Sequence, residues 1–346
     1  MTATDSSSAT YSHVPTETPF NNLPVLDKSF ADIDWQAPWL THLSQLNYLS
    51  KTVNRLISSE EQKNHKMFNA QSVDIIADLL NNALNLQCKN FQSVLPTTKP
   101  THSNRAHPLT FVSQNALPEG EAYESFIATT GNIPTRDNLH DLFNGSIWLT
   151  FPKTKALFNH YHMREIAAQG INERRGRVRD TITIFDENGA VLVTADPSIS
   201  HALIDFNWQD SLVASRAKWD DPKQMNRDAQ AAVYIFGHAL LEQLVQPRKP
   251  LCAHSIVIHV TQDFFALSLS ERMCYLDNQM ADYMDKLLSK DIVTPRQLAP
   301  LPILGVPHFW PENEQTSFYD DSYVFRSGRR QKTQSSKEAR TLINRW

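Results

Sequence analysis

Two short stretches of the chain place a histidine within one helical turn of a carboxylate. In the first, Arg136, His140 and Asn144 follow one another at intervals of four residues, with Asp141 beside His140. Because residues four apart lie nearly in line on a helix, this spacing predicts one polar ridge. The ridge could bind an anion or transfer protons, or it could be a solvated helix face on which Arg136 pairs with His140 or Asp141.

The second stretch, FGHALLE, places His238 and Glu242 four residues apart in an otherwise apolar run. A histidine and a carboxylate at this spacing can share a divalent metal ion, or the carboxylate can fix the imidazole tautomer for proton transfer. A polar group left unpaired among apolar neighbours costs about 1–3 kcal/mol, so both side chains need partners. The alternative is that they satisfy each other, or a backbone group, within the core.

Together the two stretches suggest a polar pocket where the helices that carry them meet. In that pocket one histidine would be the general base or a metal ligand, and the neighbouring carboxylate would be its partner or co-ligand. Arg136 would bind an anionic group of a small-molecule ligand. This interpretation predicts a hydrolase-like enzyme, with a divalent metal on His238 and Glu242 as one version of it. It requires the two helices to touch.

The motifs of several other enzyme classes are absent from the sequence. None of its nine glycines belongs to GxGxxG, GxxxxGK[ST] or GxSxG, which argues against ordinary dinucleotide, P-loop and nucleophile-elbow sites. Neither HExxH nor an EF-hand loop occurs. The three cysteines are far apart, so reduced, buried thiols are expected rather than a disulfide framework or a CxxC metal knuckle.

Positive charge is concentrated in two places, although the formal net charge is −4. From Arg326 to the end, seven basic residues face one acidic residue, a local balance of +6 that leaves the rest of the chain near −10. The other cluster holds Arg174, Arg175, Arg177 and Arg179. Both could bind RNA, ribosomes or another acidic partner, which is the alternative function. Both could also be solvated or paired internally, since the arginine cluster lacks interleaved aromatic residues that stack bases.

Apolar residues at helical spacing predict helices along much of the chain. These helices lie in LSQLNYLSKTVNRLI, VDIIADLLNNALNL, EAYESFIATTG, the ridge that carries His140, KTKALFNHYHMREIAAQ and SERMCYLDNQMADYMDKLLSK. Thr135 or Asp137 is expected to cap the ridge helix, and Pro152 to end it. Lys153 and Lys155, just past this helix, are interpreted as surface residues or as added positive charge at the site.

The clearest strand signal lies in TITIFDENGAVLVTADP. Two β-branched runs flank DENG there, a pattern that predicts an antiparallel hairpin. Asp186 and Glu187 are then explained as turn residues, with metal-binding carboxylates as the alternative. SIVIHV predicts another strand. Residues 229–245 are apolar nearly all round, which predicts a helix buried on most of its circumference.

The predicted architecture is α+β and mainly helical, with a small antiparallel β element. Residues 1–30 are polar and show no period, so they are expected to be disordered. A single α+β domain is expected over 31–325, followed by a basic tail over 326–346. No apolar run could cross a bilayer and no signal peptide is evident, so a cytoplasmic protein without membrane contact is expected.

Five blocks follow one another along the chain: TRDNLHDLFNGSIWLTFPKTKALFN, RDTITIFDENGAVL, FGHALLE, PLPILGVP and FYDDSYVFR. In this order they resemble a proteobacterial family of domains of unknown function, DUF 3025. The resemblance covers roughly residues 110–326, and the ordered string is more specific than any single block. It implies a bacterial, cytoplasmic protein with the fold of that family. It implies no activity, cofactor or catalytic residue.

Overall fold

The structure is a computed structural model that describes residues 26, 28–57, 74–94, 109–169, 176–290 and 292–328. Helices predominate in these ranges, which confirms the predicted α+β, mainly helical class. The helices are α1 (Asn47–Ile57), α2 (Ile75–Val94), α3 (Tyr123–Thr130), α4 (Leu139–Thr150), α5 (Pro152–Gln169), α6 (Arg177–Asn188), α7 (Pro197–Ile204), α8 (His238–Gln243) and α9 (Leu269–Leu288). The strands are β1 (Thr110–Ser113), β2 (Asn132–Thr135), β3 (Gly189–Thr194), β4 (Ala231–Ile235), β5 (Cys252–His259) and β6 (Ala299–Pro302).

Four of the strands form a mixed sheet in the order β4, β3, β5, β6. Strand β3 is antiparallel to β4 and parallel to β5, while β6 runs antiparallel to β5. Every residue of β3 is buried, as is typical of an interior strand whose two faces are both covered. Strands β1 and β2 form a separate parallel pair. The predicted strand SIVIHV is confirmed within β5.

The antiparallel hairpin predicted in TITIFDENGAVLVTADP is wrong. Its first run lies in α6, and only its second run forms a strand, β3. The β-branched residues indicated a strand, but Val178, Ile182 and Phe185 recur at helical spacing and pack into the core. Asp186 and Glu187 are therefore helical residues rather than turn residues.

Residues 229–245, predicted as one buried helix, instead contain a strand, a two-residue break and a short helix. Strand β4 ends before Phe236 and Gly237, and α8 begins at His238. An apolar run fits a buried strand as well as a buried helix, and all five residues of β4 are buried. The break is tightly packed, because a Cβ on Gly237 would lie 2.5 Å from the carbonyl oxygen of Glu187 and from the amide nitrogen of Gly189.

Helices α3 and α9 confirm their predictions. Helix α9 buries the predicted stripe: Met273, Leu276, Met280, Met284 and Leu287. It begins with a capping box in which the side chains of Ser268 and Glu271 bond each other's backbone amides. Helix α3 ends at Gly131, whose φ of 74° is the left-handed conformation that glycine adopts most readily.

The ridge helix is α4, and its cap differs from the prediction. The side chain of Asn138, rather than Thr135 or Asp137, accepts the backbone N–H in the first turn. Asp137 instead accepts the backbone N–H of Ile76 at 2.8 Å, which ties α4 to the start of α2. Helix α4 ends before Pro152, as predicted, and Pro152 begins α5, where its missing N–H is not needed.

One contiguous core of buried apolar residues joins these elements and extends from Leu26 to Phe325. Most of the predicted N-terminal segment and basic tail lies outside the described residues. Leu26 and Phe30, at the edge of the segment predicted to be disordered, are buried in this core.

Two expectations from composition concern the surface. Cys252 and Cys274 are free thiols, as expected, but they are exposed rather than buried, because they lie at the start of β5 and on the outer side of α9. Among the helices of the described ranges, none combines the length and apolar character that a membrane span requires.

Candidate active site

The predicted ridge on α4 forms one wall of a polar cavity of about 330 Å³. This volume is within the range of small-molecule sites. Residues predicted from the first stretch line the cavity together with one from the second: Arg136, His140, Asp141, Asn144 and His238. The structure thus brings the two stretches together, although they are about a hundred residues apart in the chain.

Asp141 and Arg136 form a bidentate ion pair at the start of the ridge. The Nε and Nη2 atoms of Arg136 donate to the two carboxylate oxygens of Asp141, both at 3.0 Å, and the Arg136 backbone N–H donates at 2.7 Å. Asp141 is buried, whereas 56% of the Arg136 side chain is exposed. The hydrogen bonds to Asp141 raise the pKa of Arg136 above its already high value. Arg136 is therefore held in place by a carboxylate that neutralises much of its charge.

His140 lies between a carboxylate and a second imidazole. Its Nδ1 is 2.9 Å from Glu242 Oε2, and its Nε2 is 3.0 Å from Nε2 of His238. The two rings are nearly perpendicular, with centroids 4.5 Å apart. The pairing predicted within FGHALLE is therefore wrong in detail, because Glu242 contacts His140 of α4 rather than His238 of its own helix.

The path of the chain after β4 explains how the histidines meet. The close approach of Gly237 to the end of α6 presses the start of α8 against that helix. His238 is the first residue of α8 and is buried, with its Nδ1 facing Asp186 of α6, whose Oδ2 lies 3.9 Å away. Glu242 is one turn further along and reaches the outer side of His140, where 40% of its side chain is exposed.

Lys155 of α5 is buried beneath the cavity. Its Nζ donates to Asp186 Oδ1 at 2.6 Å, to Asp186 Oδ2 at 2.9 Å and to Asn144 Oδ1 at 2.9 Å. The ammonium also lies 5.4 Å from the ring centre of Trp148. The surface position predicted for Lys155 is wrong, because its partner Asp186 belongs to α6, a helix that the sequence pattern did not predict. Lys153 is exposed, as predicted.

The electrostatics of the buried groups favour a neutral His238 and an ionised Asp186. Burial lowers the pKa of His238 to about 4, although the Asp186 carboxylate acts in the opposite direction. Burial opposes ionisation of Asp186 as well, yet the charge of Lys155 and its hydrogen bonds hold the pKa of Asp186 below the usual value. Of the two imidazoles, His140 is the more exposed, and it contacts the Glu242 carboxylate.

Tyr123 and Glu124 of α3 and His162 of α5 also line the cavity. The hydroxyl of Tyr123 accepts a hydrogen bond from Asn144 Nδ2 at 3.2 Å. His162 Nδ1 lies 3.9 Å from a carboxylate oxygen of Glu124, and burial lowers the pKa of His162. Sequence reasoning named Lys155 as one source of added positive charge at the site but missed Tyr123 and Asp186, because no local spacing connects them with the two histidines.

The predicted metal ligands have other contacts. His140 stands between His238 and Glu242 and touches both. Among the residues that the structure describes, no three side chains of the His, Cys, Asp and Glu types are grouped as the ligands of a metal ion would be. A divalent metal on His238 and Glu242 stays a prediction.

The basic clusters contribute little to the described surface. Arg174 and Arg175 lie outside the described residues, Arg177 is exposed and Arg179 is half-buried. Arg326, at the start of the predicted tail, donates to the carbonyl of Tyr323 and lies over its ring. Binding of nucleic acid or another acidic partner through these residues stays a prediction.

Comparison with known proteins identifies one family. The model of the family described as "Protein of unknown function (DUF3025)" matches residues 109–329, which include every residue of the polar cavity. No curated protein and no solved structure matches the chain.

Proposed function

The chain belongs to the DUF3025 family of proteins of unknown function, and from the geometry of its polar cavity we propose that it is a hydrolase that works by acid–base catalysis. The observation that carries this proposal is the contact of His140 with both Glu242 and His238 at the cavity wall. A carboxylate behind an imidazole fixes its tautomer and stabilises its protonated form, which is what a general base requires.

Three proton positions lie along the row formed by Glu242, His140, His238 and Asp186. A carboxylate only accepts hydrogen bonds, so the Nδ1 of His140 carries a proton toward Glu242. The negative charge of Asp186, whose Oδ2 is 3.9 Å from Nδ1 of His238, favours a proton on that nitrogen as well, although no hydrogen bond joins the two atoms. With both Nδ1 atoms protonated, the two Nε2 lone pairs face each other across 3.0 Å and attract one further proton. The pair is therefore a unit that takes up a single proton.

Uptake of a proton by the histidine pair provides the general base that hydrolysis requires. A water molecule gives a proton to the Nε2 position that His140 shares with His238, while the water oxygen bonds to the acyl carbon of the substrate. Glu242 stabilises the imidazolium that results, and His238 accepts its Nε2–H. The bond from the acyl carbon to the leaving oxygen or nitrogen then breaks, and the same proton returns to the leaving atom. The products are a carboxylic acid and an alcohol or amine.

The charge of the cavity favours a substrate without net negative charge. Two cationic side chains, Arg136 and Lys155, line it against four carboxylates, those of Glu124, Asp141, Asp186 and Glu187. Both cations are already paired with a carboxylate of this set. An uncharged or cationic ester or amide therefore suits the cavity better than the anionic ligand expected from Arg136 alone.

A panel of chromogenic substrates tests the proposal. Purified full-length protein is offered p-nitrophenyl acetate and butyrate, p-nitroanilides of uncharged and cationic amino acids, and p-nitrophenyl phosphate. We expect hydrolysis of at least one ester or anilide. In His140→Ala, kcat/KM should fall by about 10²–10⁴-fold, since a general base contributes that much.

His201→Ala is the matched control, because His201 is an exposed histidine on α7, away from the cavity. It should leave the rate unchanged. Samples treated with EDTA or supplemented with zinc or manganese separate a metal-independent enzyme from one that uses a metal on His238 and Glu242. The proposal is wrong if no ester or anilide is turned over above the blank, or if turnover survives in His140→Ala.

A further inference from the structure

The hydroxyl of Tyr123 occupies a position in the cavity that the general base does not explain. It belongs to a row of hydrogen bonds that runs from Asp186 through Lys155 and Asn144 to Tyr123. The direction of each bond in this row can be assigned, because one member, Lys155, can only donate.

Lys155 fixes the orientation of the Asn144 amide. An ammonium group has three N–H donors and no acceptor, and Lys155 has three acceptors in reach, the two oxygens of Asp186 and Oδ1 of Asn144. The atom of Asn144 that faces Lys155 must therefore be its oxygen. The opposite atom, 3.2 Å from the Tyr123 hydroxyl, is the amide nitrogen and must donate.

Since Tyr123 accepts from Asn144, its own hydroxyl proton is directed elsewhere. Among the residues that the structure describes, no acceptor lies within hydrogen-bond distance of that proton. Tyr123 lines the same cavity as His140 and His238. The proton is thus available to an acceptor inside the cavity.

The phenol keeps this proton. Burial raises the pKa of Tyr123 well above its ordinary value, and the carboxylates of Asp141, Asp186 and Glu124 raise it further. The hydrogen bond from Asn144 acts in the opposite direction but does not offset the other causes. Tyr123 is therefore a hydrogen-bond donor and not a base.

We propose that the Tyr123 hydroxyl donates a hydrogen bond to the carbonyl oxygen of the substrate, so that the substrate is an acyl compound whose oxygen points at α3 while its carbonyl carbon faces His140. This inference rests on the proposed hydrolytic function and names the group that polarises the carbonyl. As negative charge develops on that oxygen, a fixed donor in a partly buried site stabilises it more than the uncharged ground state. Asn144 and Lys155 are positioning residues for Tyr123.

Kinetics with the ester or anilide that is turned over give the first test. Tyr123→Phe keeps the ring and removes only the donor, so kcat should fall by about 10²–10³-fold while KM changes by less than about threefold. Tyr275→Phe is the control, because Tyr275 is an exposed tyrosine on α9. An unchanged kcat in Tyr123→Phe would overturn the proposal.

Asn144→Asp provides a second variant that leaves the Tyr123 hydroxyl in place. A carboxylate at this position accepts the phenol proton instead of donating to the oxygen, so the proton no longer points into the cavity. We expect a loss of kcat similar to that of Tyr123→Phe, with no further loss in the double variant. Full activity in Asn144→Asp, at an unchanged melting temperature, would contradict the assigned direction of the bond.

A binding measurement separates failure of this inference from failure of the hydrolase proposal. Protein labelled with 3-fluorotyrosine is titrated with phenylacetamide, whose carbonyl accepts, and with propylbenzene, which has no acceptor. The ¹⁹F signal of Tyr123 is identified by its absence from the spectrum of Tyr123→Phe. It should shift to a saturating value with phenylacetamide and should not shift with propylbenzene. If no substrate is hydrolysed but this shift occurs, only the hydrolytic function is wrong. If hydrolysis depends on His140 but neither Tyr123→Phe nor the amide has an effect, only the role of Tyr123 is wrong.

Discussion

Lys155→Met is expected to lower the free energy of unfolding by about 3–5 kcal/mol, the usual cost of removing one partner of a buried ion pair. The side chain of Lys155 is 6% exposed, and its removal leaves the Asp186 carboxylate without the cation that holds its pKa low. Urea unfolding at pH 7 measures the loss. The pair joins α5 to α6, so its removal should also loosen the cavity that lies between these helices.

The neighbouring Lys153 supplies a matched control on the same helix, because its side chain is exposed. Lys153→Met should change stability by no more than about 0.5 kcal/mol. Adding Asp186→Asn to Lys155→Met should restore part of the loss, since the uncompensated charge disappears. Equal effects of the two single lysine variants would show that Lys155 is not buried in an ion pair.

Glu242→Gln is expected to reduce kcat by about 10²–10⁴-fold with little change in KM. A glutamine amide can donate to Nδ1 of His140, and this would place the remaining proton on Nε2 and abolish the base. The loss should appear in steady-state rates with the substrate found in the chromogenic panel.

Glu187→Gln is the comparison for this variant. Glu187 is an exposed carboxylate on the cavity rim, and none of the hydrogen bonds among the described residues joins it to a histidine. It should retain a kcat within about twofold of the original, since surface substitutions away from the chemistry are nearly neutral. If both variants lose the same activity, the general negative charge of the cavity matters and the contact with His140 does not.

The sequence predicted those helices whose apolar residues recur on one face. The prediction of α9 was correct, including its buried methionines, and the prediction of α3 was correct, including the glycine at which it ends. Prediction from the sequence failed where the local conformational preference of the residues and their tertiary packing disagree. The β-branched residues of α6 favour a strand, but their burial follows a helical period. The run 229–245 is buried on every side, so its apolar pattern could not distinguish β4 from a helix.

The candidate site was predictable only where its members are local. The four-residue spacing of Arg136, His140 and Asn144 placed them together on one ridge, and the structure brings His238 to the same cavity. His140 and Glu242 are 102 residues apart in the sequence, and a periodic pattern gives no information on contacts at that separation. The burial of Lys155 was not predicted, because a lysine after a helix is ordinarily a surface residue. Its burial depends on Asp186, whose element was predicted wrongly.

We expect His140 and His238 to act as one proton-accepting unit oriented by Glu242. Nitrogen NMR of protein labelled with ¹⁵N-histidine measures the protonation of each ring nitrogen as the pH is varied. We predict that Nδ1 of both residues is protonated throughout, that the pair takes up one proton in total on its two Nε2 atoms, and that Glu242→Gln removes the proton from Nδ1 of His140. Independent titration of the two imidazoles, or an unprotonated Nδ1 on His140 in the original protein, would show that the two histidines do not form such a unit.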